Sequence, residues 1–182
     1  LLARMRAGLA QLIDRQTDLQ VCAEAANPAE ALQRLATGGI DLVLADMTMP
    51  GRSGLDFLKD LVDLHPGLPV LVVSMHDELV YAERALRAGA RGYIMKEAGG
   101  ENLLAAIRQI FEGLVYVSPR MSALLLDSFS GRKTRDAESP FGKLTDREFE
   151  IFQLIGRGRG TREIAQQLGL STKTVDVHRA NI

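Results

Sequence analysis

The 182 residues hold a single cysteine and no tryptophan, and aromatic residues make up only 5%. The lone Cys22 excludes an internal disulfide framework and any zinc site built from several cysteines. A reducing, cytoplasmic setting is the default for such a chain. No apolar run approaches the ~20 residues needed to span a bilayer. No membrane partner is therefore expected, and no secretory signal is visible. An excess of one charge is lacking too: 22 basic residues face 23 acidic ones, for a net charge of -1. Internal repeats and low-complexity tracts are absent. What remains, 46% hydrophobic and 25% charged residues, is an ordinary globular balance. The length admits one domain or two small ones. Charge is distributed unevenly between the two ends. Residues 1–142 carry 15 basic and 18 acidic residues, whereas 143–182 carry 7 and 5. That sign change suits a basic module hung on an acidic one.

Up to about residue 113, strand and helix patterns alternate. Helical spacing is predicted over 1–13, 27–39, 54–66, 77–90 and 100–113, and strands over 19–25, 41–45, 69–75 and 92–96. Asn27 and Pro28 form a start signal and Gly38-Gly39 a stop. Alternation of this kind predicts an α/β fold with a doubly wound parallel sheet, and apolar runs such as "VLVV" predict strands buried on both faces. Ligands of such sheets sit at the carboxyl ends of the strands. Asp46, Ser74 and Lys96 each fall at or just past the end of a different predicted strand. Any one of them alone would be an ordinary turn, hydroxyl or surface charge. Parallel strands would bring all three to one rim.

From residue 118 the pattern is different. One amphipathic helix is predicted over 118–129, followed by a polar linker, "SGRKTRDAESPFGK". Beyond 144 no strand pattern appears. Thr145 and Glu148 have capping-box spacing, a short helix over 161–170 is stopped by Gly169, and Ser171 opens a last helix. Short helices around a glycine turn match a helix-turn-helix. In the last helix, Val175 and Ile182 are placed to face the core of that module. Lys173, Thr174, His178 and Arg179 can donate to DNA phosphates, and Thr161 and Arg162 open the preceding helix, a favourable place for a phosphate.

These stretches carry a resemblance. "LADMTMPGRSGLDFL", "VLVVSMHDE" and "ARGYIMKEA" resemble a bacterial response-regulator receiver domain. "LTDREFEIFQLIGRGRGTREIAQQLGLSTKTVDVHRANI" resembles the LuxR-type helix-turn-helix. Together they resemble the NarL/FixJ class of two-component transcription factors. The resemblance implies a flavodoxin-like receiver over 1–117, a linker helix and loop over 118–143, and an all-α DNA-binding domain over 144–182 that is incomplete at its C-terminus. It implies that a sensor histidine kinase loads a phosphoryl group onto Asp46, the phosphoacceptor. Mg²⁺ would be held by Asp46 and the backbone carbonyl of Thr48. Lys96 would pair with the phosphoryl group, Ser74 would bond one of its oxygens, and Tyr93 would turn inward as a switch. Pro50 and Gly54 would shape the loop after the acceptor. The chemistry suits these residue types: a carboxylate can form an acyl phosphate, and phosphoryl transfer is mostly positioning and charge stabilisation.

Base-edge contacts are implied chiefly for Asp176, which can accept from cytosine N4, and Val177, which can touch a thymine methyl. A homodimer would form on phosphorylation and read double-stranded DNA as a two-fold site. The inactive form would have the receiver covering the recognition helix. The protein would not be an enzyme beyond accepting and slowly losing its own phosphoryl group. The chain departs from the family in one respect. The family's first strand ends in an acidic pair that binds magnesium, whereas this sequence begins inside what matches the first helix. That reads as a fragment lacking about ten residues, roughly one strand and its loop. A second reading is a receiver-like module that controls transcription without phosphorylation. A metal-dependent phosphatase, a third class, lacks a second nucleophile or base.

Overall fold

The computed structural model describes residues 2–48, 53–129 and 143–182. The first helix, α1, spans Leu2–Asp14. α2 (Pro28–Leu35) starts where the sequence signals it, with Asn27 accepting from the Glu30 amide. β1 (Val43–Asp46), α3 (Gly54–Leu64), β2 (Val70–Ser74), α4 (Glu78–Arg87) and β3 (Gly92–Met95) alternate from there. A single 3₁₀ turn at Lys96–Ala98 leads into α5 (Gly100–Phe111). α6 (Pro119–Phe129) follows, then α7 (Asp146–Gly156), α8 (Thr161–Leu168) and α9 (Thr172–Asn181).

The strands form one parallel sheet in the order β1-β2-β3. β2 is central and wholly buried. Its residues alternate, as the strand period demands. Val70 and Val72 join a core with Leu55, Leu58 and Leu61 of α3 and Ala82 and Ala85 of α4. Leu71 and Val73 join one with Ile94 and with Leu103, Ala106, Ile107 and Ile110 of α5. Helices on both faces of a parallel sheet are what the alternating pattern predicts. A third cluster, Ile151, Leu154, Ile164, Ala165, Leu168 and Val175, closes the three C-terminal helices on themselves.

One predicted element does not form. Residues 19–25 form no strand and no helix. An isolated strand leaves its backbone groups without a ladder. Between this segment and β1 lies a cavity of about 970 Å³, lined also by α1, α2 and the side chains of Asp46 and Lys96. It separates 19–25 from the strand it would have to approach. Among the described residues β1 therefore pairs only with β2, and this is the position where the resemblance places a further strand.

Candidate functional site

The register carries the site. Asp46 is aligned with Val73, and Ser74 with Met95, so Asp46, Ser74 and the following Lys96 meet at the carboxyl rim of the sheet. Lys96 Nζ lies 2.5 Å from Asp46 Oδ2. The lysine side chain is only 7% exposed, and its ammonium is paired with a carboxylate that is itself 24% exposed. Asp46 Oδ1 accepts from the Thr48 amide at 2.9 Å, which turns the chain sharply after the strand. The turn brings Met47 against α3. A Cβ on Gly54 would stand 2.5 Å from the Met47 carbonyl oxygen, so the first residue of α3 has to be glycine for this approach. Pro50 lies outside the described residues.

Ser74 is fully buried, and its Oγ accepts from the His76 amide at 3.0 Å. Tyr93 already points inward, fully buried, with its hydroxyl donating to the His76 carbonyl at 2.9 Å. Burial pushes its phenol well above the usual range. The two predicted switch residues thus grip one loop, 74–77, through the peptides on either side of His76.

The residues of the rim offer magnesium hard oxygen ligands of the right kind, the Asp46 carboxylate and the Thr48 carbonyl. Among the described residues no group of three or more acids, histidines or cysteines gathers to complete such a site.

The second constellation is the helix pair α8–α9. Gly169, at φ 65°, makes the left-handed turn that ends α8, and Ser171 caps α9 by accepting from the Thr174 amide at 3.0 Å. Val175 is fully buried and fixes the phase of α9. Ile182 does not join the core as its spacing predicts. It is 41% exposed. Lys173, Asp176, Val177 and Arg179 are exposed, as is Arg162. Thr174 is half-buried beside its cap. His178 is half-buried, with its Nδ1 enclosed and without a hydrogen-bond partner among the described residues. The hydroxyl of Thr161 is already engaged by Asp176 and Arg179.

Comparison with known proteins follows the same division. Residues 3–108 match the model of the response regulator receiver domain. Residues 142–182 match that of bacterial regulatory proteins of the luxR family. The chain belongs to the LuxR-type response regulators. It is 37% identical to the oxygen regulatory protein NreC of Staphylococcus carnosus (strain TM300), an alignment covering 99% of this chain and 85% of that protein. A LuxR-family two-component response regulator from Aurantimonas sp. SI85-9A1 superposes with a TM-score of 0.64 at 29% identity, over 70% of this chain and 91% of that one. ChrA, the response regulator of a heme-sensing two-component system, superposes with a TM-score of 0.55 at 32% identity, over 99% and 83%.

In this response regulator the two modules touch through residues the sequence did not mark. Phe149 of α7 is 1% exposed yet belongs to the receiver core, edge-on to Tyr81 and under the Arg84 guanidinium. Asp146 takes ion pairs from Lys59 at 2.7 Å and Arg84 at 2.8 Å. Arg84 also donates to the Leu144 carbonyl. Burial would raise the Asp146 carboxyl, but the hydrogen bonds from Lys59 and Arg84 outweigh it and hold the group below the usual range. Glu150 goes the other way. Burial raises it, although the hydroxyl of Ser53 donates to it and Arg147 lies at 3.1 Å. Tyr81 donates to Gln153 at 2.5 Å.

His76 joins this interface to the carboxyl rim of the sheet. Its ring stacks on Tyr81, its Nδ1 lies 3.0 Å from Arg157, and its Nε2 lies 3.3 Å from the Thr48 hydroxyl. A guanidinium can only donate, so Nδ1 accepts and the ring proton sits on Nε2, facing Thr48. The receiver therefore holds α7 rather than covering the recognition helix. α9 keeps Asp176, Val177 and Arg179 open to solvent, because the apolar contact is made by Phe149 on another helix.

Proposed function

We propose that Asp46 accepts a phosphoryl group from a sensor histidine kinase, and that this event controls dimerisation and the DNA contacts of α9. Residues 1–117 act as the receiver, 118–143 as the connecting segment, of which 130–142 lie outside the described residues, and 144–182 as the DNA-binding part. The protein works in the cytoplasm. The observation that carries the reading is the shared loop 74–77. It ends at Ser74 on the acceptor rim, and its His76 touches Arg157 of α7.

A carboxylate oxygen of Asp46 attacks phosphorus, the bond from phosphorus to the donor's imidazole nitrogen breaks, and an acyl phosphate forms. Lys96 stays beside the reacting oxygen and offsets the added negative charge. Mg²⁺, held in part by Asp46 and the Thr48 carbonyl, would supply further charge stabilisation. Ser74 now accepts from the His76 amide. To bond a phosphoryl oxygen the Ser74 side chain must swing toward it and donate, and that displacement, rather than the donation itself, loosens its hold on the His76 amide. Movement of His76 then loosens Arg157, and with it the seat of α7. The freed α7–α9 unit pairs with a second copy on double-stranded DNA. Arg162, Lys173, Thr174, His178 and Arg179 serve the DNA backbone, and Asp176 and Val177 the bases.

Intact mass after incubation with acetyl phosphate and Mg²⁺ tests the acceptor. We expect one added phosphoryl group on the wild type and none on Asp46→Asn, which keeps a polar partner for Lys96. A folded wild type that gains no mass would favour control without phosphorylation. The exposed α9 of the docked form is the observation on the side of that second reading.

A further inference from the structure

Asp176 and Arg179 lie one turn apart on α9, a spacing at which opposite charges commonly pair directly. Here both converge on a third group, the hydroxyl of Thr161 at the start of α8. Its Oγ1 lies 3.3 Å from Asp176 Oδ1 and 3.2 Å from Arg179 Nη1. A carboxylate can only accept and a guanidinium can only donate. The hydroxyl therefore donates a hydrogen bond to Asp176 and accepts one from Arg179. An aliphatic side chain of the same shape can do neither. The geometry is anchored at both ends. Gly160 caps α8 with its amide bonded to Glu163, while Gly169 and Ser171 fix the turn into α9. Val175, between the two charged residues and the core, is fully buried, so α9 cannot roll.

From this we infer that Thr161 is a positioning residue that sets sequence specificity: it fixes the Asp176 carboxylate on the exposed face of α9 so that one oxygen can accept from the amino group of a cytosine, with Arg179 held alongside to screen the acid from the DNA backbone. A free aspartate beside phosphates would be repelled, and it would sample several rotamers. Tied to Thr161, it presents its second oxygen, Oδ2, in one direction. The proposal rests on α9 reading DNA, and it changes the part assigned to Thr161. The side chain acts through Asp176 and not on a phosphate.

Thr161→Val removes the hydroxyl and keeps the branched shape, whereas Thr161→Ser keeps the hydroxyl. The duplex bound by the phosphorylated wild type is first selected from a randomised pool. Each protein is then titrated against that duplex, against one with the preferred C·G pair replaced, and against an unrelated duplex. Wild type and Thr161→Ser are expected to discriminate at that pair by about five- to a hundred-fold. Thr161→Val should discriminate by less than about threefold, with affinity for the unrelated duplex within about twofold of wild type. Undiminished discrimination by Thr161→Val overturns the proposal. So does a parallel fall of specific and unrelated binding with a lowered melting temperature, which marks a merely structural hydroxyl. A wild type that selects no sequence at all overturns the DNA-reading assignment itself, and Thr161 falls with it.

Discussion

The meeting of Asp46, Ser74 and Lys96 at one rim was legible residue by residue because each of them ends or follows a strand. Asp46, Ser74 and Lys96 follow apolar runs, and a parallel sheet has only one place to put such ends. His76 was not legible. Its partners Thr48 and Arg157 are 28 and 81 positions away, and no local pattern announces an imidazole that bridges two modules. Gly54 carries a different kind of information. Its need for glycine is steric, set by a Met47 backbone that a Cβ would strike at 2.5–2.9 Å. Backbone cannot yield as a side-chain tip does. Gly54→Ala is expected to lower stability by about 1–3 kcal/mol. It should also slow phosphoryl uptake, since relief of the clash has to move the turn that follows Asp46. Thermal melting and the rate of mass gain with acetyl phosphate check the two effects. Unchanged melting would show that the turn adapts at no cost.

Elements were legible where their boundaries carry chemistry. Asn27-Pro28, Thr145 with Glu148, and Ser171 start helices in the structure as they do in the sequence. The segment 19–25 has a strand's composition but not a strand's partner, and partner atoms decide the matter. α7 shows the limit of reading one apolar stripe. Ile151 and Leu154 close the C-terminal domain, while Phe149 leaves it and enters the receiver core. One helix thus serves two cores, and spacing alone counts both sets as one face. Truncating Phe149 separates them. Phe149→Ala is expected to cost about 3–5 kcal/mol, the range for a buried phenylalanine, and to take it from domain docking. Denaturant unfolding should then resolve into two transitions, with α9 helicity retained in the second. A single, shifted transition would mean that Phe149 stabilises its own domain instead.

At the scale of the whole molecule the docking surface was invisible in the sequence, because it joins residues 53–84 to 144–157, and only the fold brings them together. Its electrostatics are testable through Glu150. Released from the receiver, this carboxyl would titrate at its ordinary value of 4.5; docked, burial raises it. The docked state therefore binds more protons between those two values. Docking is strengthened as pH falls through the raised value, and it carries the full penalty of a buried carboxylate only above that value. Asp146 acts in the opposite sense. Its docked value is lowered, so its contribution is intact above 3.8 and is lost only as pH falls below that. The two windows do not overlap. Replacing Glu150 by glutamine keeps an acceptor for the Ser53 hydroxyl and removes the titration. Glu150→Gln is expected to dock more tightly than wild type at pH 7.5, read as slower hydrogen exchange along α7. That advantage should shrink steadily toward pH 4.5, while every other titrating group cancels in the comparison. A difference that stays constant with pH would assign the effect to packing and remove Glu150 as the group that tunes how firmly the receiver holds the DNA-binding domain.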